Sequence, residues 1–402
     1  MIAPGVKSPF VAIACGGTGG HLFPGVVVAE QLQRRNCAVT LLISPKDIDQ
    51  QAVKSARGMQ IVTLPAVALQ NRNYISFARS FWQSWRASLK IFKDHPPQAV
   101  LAMGGFTSAP PVLAAKKFHA KTFLHESNAI PGRANRFLAR FVDEAFAGFP
   151  EAAARLRVLK VTTTGTPVRP QFQPRDPAAC RTALGFEPDR PVILVMGGSQ
   201  GASGVNEMIL SALPALGECA KNWQWLHLTG VNDSEKVKSA YDARGLIAVV
   251  KPFLVEMDLA LGAATVAVSR AGASSLAEIA AMRLPSLLIP YPAAANNHQF
   301  HNARAFEKTG AARLLEQKAA TPQRVAILLR ELVEDAAARS KIQTALAQWH
   351  APKAAEQIAE IMLAAVFWSA DSRVRADESL RETSGQCCPR SDAVERQNFS
   401  AA

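Results

Sequence analysis

Long apolar runs are missing from this sequence. No stretch approaches the ~20 consecutive apolar residues that a membrane-spanning helix needs. The N-terminal run from Phe10 to Cys15 is too short for the core of a secretory signal and leads straight into glycines. A chain that neither crosses a bilayer nor carries a recognisable export signal is therefore expected. Cysteine is also sparse: Cys15, Cys37, Cys180, Cys219, Cys387 and Cys388 show no paired zinc spacing. A disulfide framework would be unusual in so long a chain, so a reducing cytoplasm fits best. Acidic residues are the third shortage, 32 against 45 Lys and Arg, which leaves a net charge of +13. The imbalance is uneven, because eleven Lys/Arg between Gln70 and Arg140 face only Asp94 and Glu126. Such a basic half calls for an anionic partner.

What is present excludes disorder and fibres: 402 residues, 49% hydrophobic and 19% charged, are enough to bury two ordinary cores. Phe10 to Cys15 reads as a buried strand, Gly16 to Gly20 cannot continue it, and Pro24 to Arg35 reads as a helix ending at Asn36. Further apolar runs follow with helical spacers: Ala38 to Ile43, Ile61 to Leu64, Ala99 to Met103, Thr122 to Leu124 and Glu144 to Ala147. Strands that are apolar throughout belong to a sheet covered on both faces. Around Thr164 to Pro177 the texture changes to that of a linker.

A second series then opens with Pro191 to Met196 and the turn Gly197-Gly-Ser-Gln-Gly201. It continues through Trp225 to Thr229, Ala248 to Val250, Val266 to Ser269 and Ser286 to Pro290. The expected fold is α/β, two doubly wound parallel-sheet halves facing one another across a cleft, with ligands beyond the carboxyl ends of the strands. The expected division is 1–167, 168–349, a C-terminal helix at 350–367 that returns to the first half, and a disordered tail at 368–402. Ala-rich helices are expected over Pro322 to His350 and Pro352 to Phe367.

Gly16-Gly-Thr-Gly-Gly-His21 matches neither the dinucleotide fingerprint nor the P-loop, which argues against NAD and ATP. A glycine turn at a helix start lets a diphosphate or sugar approach backbone N–H groups. Gly197 to Ala202 repeats the device, and Ser269-Arg-Ala-Gly-Ala-Ser-Ser275 provides a third, followed by Glu278. Three such turns point to a phosphate-bearing ligand far better than one. Glu278 reads equally as a carboxylate complementing the helix dipole or as an acceptor for ribose hydroxyls.

His125-Glu126-Ser127-Asn128 closes a strand, where a His-Glu pair can orient an acceptor or move a proton, or the histidine can be satisfied by neighbouring backbone. His298 and His301, three apart, lack a third ligand at suitable spacing, so polar contacts to a sugar fit better than a metal. Tyr74 to Lys93 forms a basic aromatic helix with Phe77, Phe81, Trp82 and Trp85 beside Arg79, Arg86, Lys90 and Lys93. That composition suits either a core helix or an interfacial one.

In order, GGTGGH, HE-x-N, G-x-PVR, GGSQGA, S-R-A-G-A-S-S-x-A-E and HQ-x-x-NA resemble the MurG family of peptidoglycan N-acetylglucosaminyltransferases. These are inverting family 28 glycosyltransferases of the two-Rossmann-domain GT-B type, and the resemblance spans Phe10 to Phe367. It implies transfer of N-acetylglucosamine from UDP-N-acetylglucosamine to the 4-hydroxyl of a lipid-linked muramyl-pentapeptide, peripherally at the cytoplasmic face of the inner membrane. It implies that Thr18, Gly19 and Gly20 border the donor, that Asn128 and Arg169 contact it, and that Ser199 binds its phosphates. It also implies that uracil is read by backbone near Leu254, that Ala273, Ser274, Ser275, Leu276 and Ala277 line the diphosphate and nucleoside, that Glu278 holds the ribose, and that Gln299 binds the sugar.

His21 and Glu126 resemble the polar residues beside the acceptor, with His21 the first choice for activating the nucleophile. Phe77, Phe81, Trp82, Trp85, Arg86 and Lys90 coincide with the family's membrane-docking patch. An anionic membrane surface and other cell-wall and division proteins are the further partners implied. No nucleic acid, cofactor or metal is expected, because acids are few near the glycine turns. Ser127 and Thr166 depart from the family pattern, which often has Gln and Asn there. A sugar-nucleotide epimerase of similar build and a non-catalytic membrane scaffold are the rival readings.

Overall fold

A computed structural model describes residues 8–17, 19–45, 58–66, 74–198 and 201–367. Thr18, Ser199 and the tail at 368–402 lie outside these residues. Among the described residues, the first sheet contains β1 (Phe10–Ala14), β2 (Ala38–Ile43), β3 (Gln60–Thr63), β4 (Ala99–Ala102), β5 (Lys121–Glu126), β6 (Glu144–Ala147) and β7 (Val161–Thr163). The second contains β8 (Val192–Met196), β9 (Gln224–Leu228), β10 (Ile247–Lys251), β11 (Val266–Ser269), β12 (Ser286–Leu288) and β13 (Arg313–Leu314). Their orders are β3-β2-β1-β4-β5-β6-β7 and β10-β9-β8-β11-β12-β13, and neighbouring strands run parallel, as between β1 and β4 and between β8 and β11.

In both sheets the order reverses beside the first strand, β1 against β4 and β8 against β11. Ligand crevices in such sheets open beyond the carboxyl ends at that reversal. β1 and β8 are the strands that run into glycine turns, so the sequence places its most permissive backbone where the topology opens a crevice.

The apolar strands bury both faces. In β1, Val11 and Ile13 join one core while Ala12 and Ala14 join the core on the opposite face. The helix at residues 354–367 contributes Ile358, Met362 and Val366 to the same core as Val11 and Ile13, so the chain returns from the second sheet to the first. Where the two halves meet, Phe306 and Trp349 stack with ring centres 4.4 Å apart, and Phe149 tilts against Trp349 at 5.2 Å. Beside them the two connecting segments cross at Gly165, where a Cβ would stand 2.3 Å from that of Ala351.

Several boundaries differ from the sequence expectation for physical reasons. The first helix begins at Gly19 rather than Pro24, so Pro24 lies in its second turn, where its missing N–H leaves Gly20 O to accept from Ser274 Oγ. The expected helix over 322–350 divides into Pro322–Glu334 and Ala336–Ala347. Asp335 adopts an extended backbone there and caps the second helix by accepting from Ala338 N. β7 and the two-residue β13 are edge strands with too few residues to show a period.

Candidate functional site

The first glycine turn is shaped by close packing. Gly17 has φ +113°, and a Cβ on Gly16 would lie 2.3 Å from Ser44 N. His21 follows in the first turn of the helix Gly19–Gln33. Its imidazole rests on the turn after β4: a Cβ at Gly104 would lie 3.0 Å from Nε2, and one at Gly105 3.2 Å from Nδ1. Only glycines let that backbone come so close to the ring, so the two turns together fix its position.

The second turn repeats the device. Gly198 and Gly201 have φ +94° and +74°, and a Cβ on Gly201 would lie 2.2 Å from Thr229 O. The helix Ser203–Leu216 starts without a side-chain cap, as does Ala273–Met282 behind the third turn. First-turn N–H groups of an uncapped helix have no intrahelical acceptor and carry the positive end of its dipole. Two such starts lie at the β8/β11 reversal.

The halves approach each other at these turns. Ser274 Oγ donates to Gly20 O at 3.0 Å, so the His21 turn and the third glycine turn are in direct contact. Arg169, from the linker, lies between the rings of Phe23 and Phe172, 4.2 and 4.7 Å from their centres. It pairs with Glu278 at 3.3 Å. Glu278 is largely buried; desolvation raises its pKa and Arg169 opposes that rise. Gln299 Oε1 accepts from Ala271 N and Tyr291 N, which ties the third turn to the turn after β12. Leu254 is buried in the segment after β10, and Ala273, Ser274, Ser275, Leu276 and Ala277 form the first turns of the third helix.

At the end of β5 the polar side chains are held by the protein's own groups, one of the two arrangements the sequence left open for His125. Glu126 is buried and accepts from Asn128 N and Nδ2 through Oε1 and from Gly132 N and Asn135 Nδ2 through Oε2. Four donors fill the four acceptor sites of a carboxylate. This geometry holds the loop 127–132 in shape and keeps the Glu126 carboxylate fixed at the end of β5. His125 is fully buried, with Nε2 against Gly165 O at 3.1 Å and Nδ1 against Ser127 Oγ at 3.2 Å. Burial holds its pKa down at about 4. It anchors the β5 end to the linker.

Sequence reasoning assigned no role to Asn135, Arg270 and Asn206, and placed Asn302 only among polar contacts to a sugar; the structure brings in all four. Asn135 completes the Glu126 cage. Asn302, buried in the helix His298–Lys308, crosses the cleft: Oδ1 accepts from Ala129 N, and Nδ2 donates to Asn128 Oδ1 and to Ala271 O. Arg270 is a buried cation inside the third turn. Asn206 is buried near the start of the second helix, where its Nδ2 donates to Thr229 O and Asp233 Oδ2. Polar residues interrupting otherwise apolar stretches were the one available signal.

Among the described residues, no three His, Cys, Asp or Glu side chains converge as metal ligands. The sequence does hold one Asp-x-Asp, Asp47-Ile48-Asp49, after β2 and outside the described residues. No helix of the described residues is long and apolar enough to cross a membrane.

Two facing parallel-sheet halves, glycine turns at both reversals and uncapped helix starts between them define the class of GT-B nucleotide-sugar enzymes. The chain belongs to glycosyltransferase family 28: residues 11–147 match its N-terminal domain and residues 192–358 its C-terminal domain. It is 36% identical over 360 residues, 87% of this chain and 91% of the relative, to the UDP-N-acetylglucosamine--N-acetylmuramyl-(pentapeptide) pyrophosphoryl-undecaprenol N-acetylglucosamine transferase of Anaeromyxobacter sp. (strain K). The crystal structure of Acinetobacter baumannii MurG matches with a TM-score of 0.69 and 24% identity, covering 89% of this chain and 99% of that one. A UDP-GlcNAc 2-epimerase from Neisseria meningitidis, solved with UDP-GlcNAc, shares the fold at a TM-score of 0.65 and 13% identity, covering 88% and 99%.

Proposed function

We infer that this chain transfers N-acetylglucosamine from UDP-N-acetylglucosamine to the 4-hydroxyl of undecaprenyl-diphospho-N-acetylmuramoyl-pentapeptide, inverting the anomeric centre. The carrying observation is the direct contact of the His21 turn with the Ser274 turn. It brings the turn that carries His21 against one of the two uncapped helix starts, which supports a shared site there. The epimerase fold is shared only at low identity, whereas the relatives of substantial identity carry the transferase name.

In this reading His21 accepts the acceptor's 4-hydroxyl proton as O4 bonds to the anomeric carbon. The sugar–phosphate bond breaks on the opposite face and its electron pair leaves with UDP. First-turn amides of Ser203–Leu216 and Ala273–Met282, together with Ser199, take the diphosphate. Thr18, Gly19, Gly20 and Asn128 border the donor, the segment at Leu254 reads uracil, and Gln299 holds the third turn against the sugar. Glu278 accepts the ribose hydroxyls once Arg169 swings from it to the donor. No divalent ion takes part.

His21→Ala is expected to cut kcat by roughly 10²- to 10⁴-fold while UDP affinity stays within a few-fold, as for loss of a general base. Glu126→Gln, in contrast, puts an NH₂ among four donors, so it should lower thermal stability and activity together and leave the pH–rate profile unchanged. Steady-state kinetics and calorimetric UDP binding check both. His21→Ala turnover near the native rate would remove His21 from the mechanism.

The helix Tyr74–Asp94 is the membrane contact in this reading, with the protein peripheral at the cytoplasmic face. Ser80, Ser84, Ser88 and Phe92 are buried, while Trp82 is 52% and Ile75 85% exposed. Arg86 lies over Trp82 at 4.8 Å, so the outward face joins aromatic and cationic groups as an interfacial helix does.

A further inference from the structure

Arg270 is 7% exposed and directly follows β11. Its Nη1 donates to Ile289 O and Pro290 O at 3.1 and 3.0 Å, its Nη2 to Gln317 Oε1 at 2.8 Å, and its guanidinium faces the Tyr291 ring at 5.4 Å. Every one of these partners is neutral. Burial lowers its pKa, and the only charge interaction opposing that shift comes from Tyr291, not from a carboxylate. A buried ion without a counter-charge is costly, and buried arginines are ordinarily paired with acids.

The position of this uncompensated charge is specific. Arg270 N donates to Met196 O, the last residue of β8 before the second glycine turn. The amide of Gln317 packs against Gly204, the second residue of the helix Ser203–Leu216, where a Cβ would lie 2.5 Å from Gln317 Nε2. The next residue in the chain, Ala271, opens the turn into Ala273–Met282. The guanidinium is therefore one side chain away from the start of Ser203–Leu216, and the Arg270 backbone leads directly into the turn before Ala273–Met282.

We propose that Arg270 is the fixed cation that offsets the charge developing on the departing diphosphate, in the role a divalent ion fills in metal-dependent nucleotide-sugar enzymes. As the sugar–phosphate bond breaks, its electron pair moves onto the phosphate oxygen and UDP gains one negative charge. The proton of the attacking hydroxyl goes to His21, and Arg270 stays protonated throughout. Its neutral partners hold the guanidinium in place and leave its field unneutralised, so it acts through space on charge at both helix starts. On this proposal the substrate's own diphosphate supplies the counter-charge that Arg270's protein partners do not. This inference rests on the reading above in which no divalent ion takes part.

Gln317→Glu separates charge from architecture, because it sets a carboxylate beside the guanidinium and keeps a hydrogen-bond acceptor at the same atom. The variant is expected to fold with unchanged or raised thermal stability. Its UDP affinity should fall about 10-fold or more and kcat by about 10²-fold, the scale seen when one preorganised electrostatic group is lost. Uridine affinity should stay within about 3-fold of the native value, because uridine carries no phosphate charge to feel the field.

Arg270→Lys should retain more UDP affinity than Arg270→Gln, since it keeps the charge and gives up the fork. Titration calorimetry with uridine and UDP, alongside transfer assays in EDTA, reads all of these. Parallel losses of uridine and UDP affinity in Gln317→Glu, or native kcat in that variant, would overturn the proposal. Native enzyme that stops in EDTA would instead defeat the metal-independent reading beneath it.

Discussion

Residue by residue, the site depends on side chains kept neutral or kept fixed. His125 and His227 are both fully buried, and burial holds their pKa values at about 4 and about 3. His227 Nδ1 meets Tyr241 OH at 3.1 Å and Nε2 meets Asn206 Oδ1 at 3.0 Å. Because Asn206 Nδ2 already donates to Thr229 O and Asp233, its Oδ1 accepts, so Nε2 carries the proton and the tyrosine hydroxyl donates.

Unfolding returns both imidazoles to the ordinary value of 6.5, so the unfolded chain binds more protons in acid than the folded one. Their contribution is whole above about pH 6.5 and is lost as pH falls toward 4, each histidine withdrawing up to about 1.4 kcal/mol per pH unit. Urea midpoints should therefore drop steeply between neutral pH and about pH 5, and His227→Gln should flatten that slope. A midpoint that does not change over that range would contradict the assignment of buried neutral histidines.

Among the elements, the helix Tyr74–Asp94 shows how far pattern carries. Its length and mixture of aromatic and basic residues were plain in the sequence, but its aromatics divide: Phe92 is buried and Phe81 and Trp85 pack partly against the core, while Trp82 faces outward. Serines at 80, 84 and 88 recur every four residues and form the buried face, because small side chains let the helix Ala109–Lys116 approach closely. A hydrophobic period would never have found that face, and it leaves Ile75 and Trp82 turned outward.

Trp82→Ala combined with Arg86→Glu should reduce co-sedimentation with phosphatidylglycerol vesicles by about 10-fold or more, given about 1 kcal/mol per basic residue at an anionic surface. Turnover of a water-soluble acceptor analogue should be unchanged. Equal vesicle binding by native and variant protein would remove this helix from the membrane contact.

The glycine turns, by contrast, were legible from composition, since only glycine takes those φ values or leaves room for Thr229 O. The saturation of Glu126 was not, because its donors come from a loop and a helix up to nine residues downstream. The edge strands β7 and β13 were too short to carry a signal.

For the whole molecule, two doubly wound halves were expected from two strand-and-glycine series, and both sheets are present. How the halves meet was beyond the sequence, because it depends on residues far apart in the chain: Phe149 with Trp349, Gly165 with Ala351, Asn128 with Asn302. The crossing at Gly165 is the tightest of these. Gly165→Ala is strained twice, by φ +79° and by the 2.3 Å approach to Ala351. It should cost about 2 kcal/mol or more of unfolding free energy, with about 1–2 from the left-handed backbone alone. Ala351→Gly in the same chain should recover only the part due to the clash. Chemical denaturation of the two single variants and the double variant measures this coupling, and full additivity would show that the segments do not press on each other.

The most direct test of the central claim is transfer of radiolabelled sugar from UDP-N-acetylglucosamine to a short-chain lipid-linked muramyl-pentapeptide in excess EDTA. The account predicts a labelled β-linked disaccharide lipid at an undiminished rate. A lipid fraction without label, release of a 2-epimer from donor alone, or turnover restored only by Mg²⁺ or Mn²⁺ would contradict it.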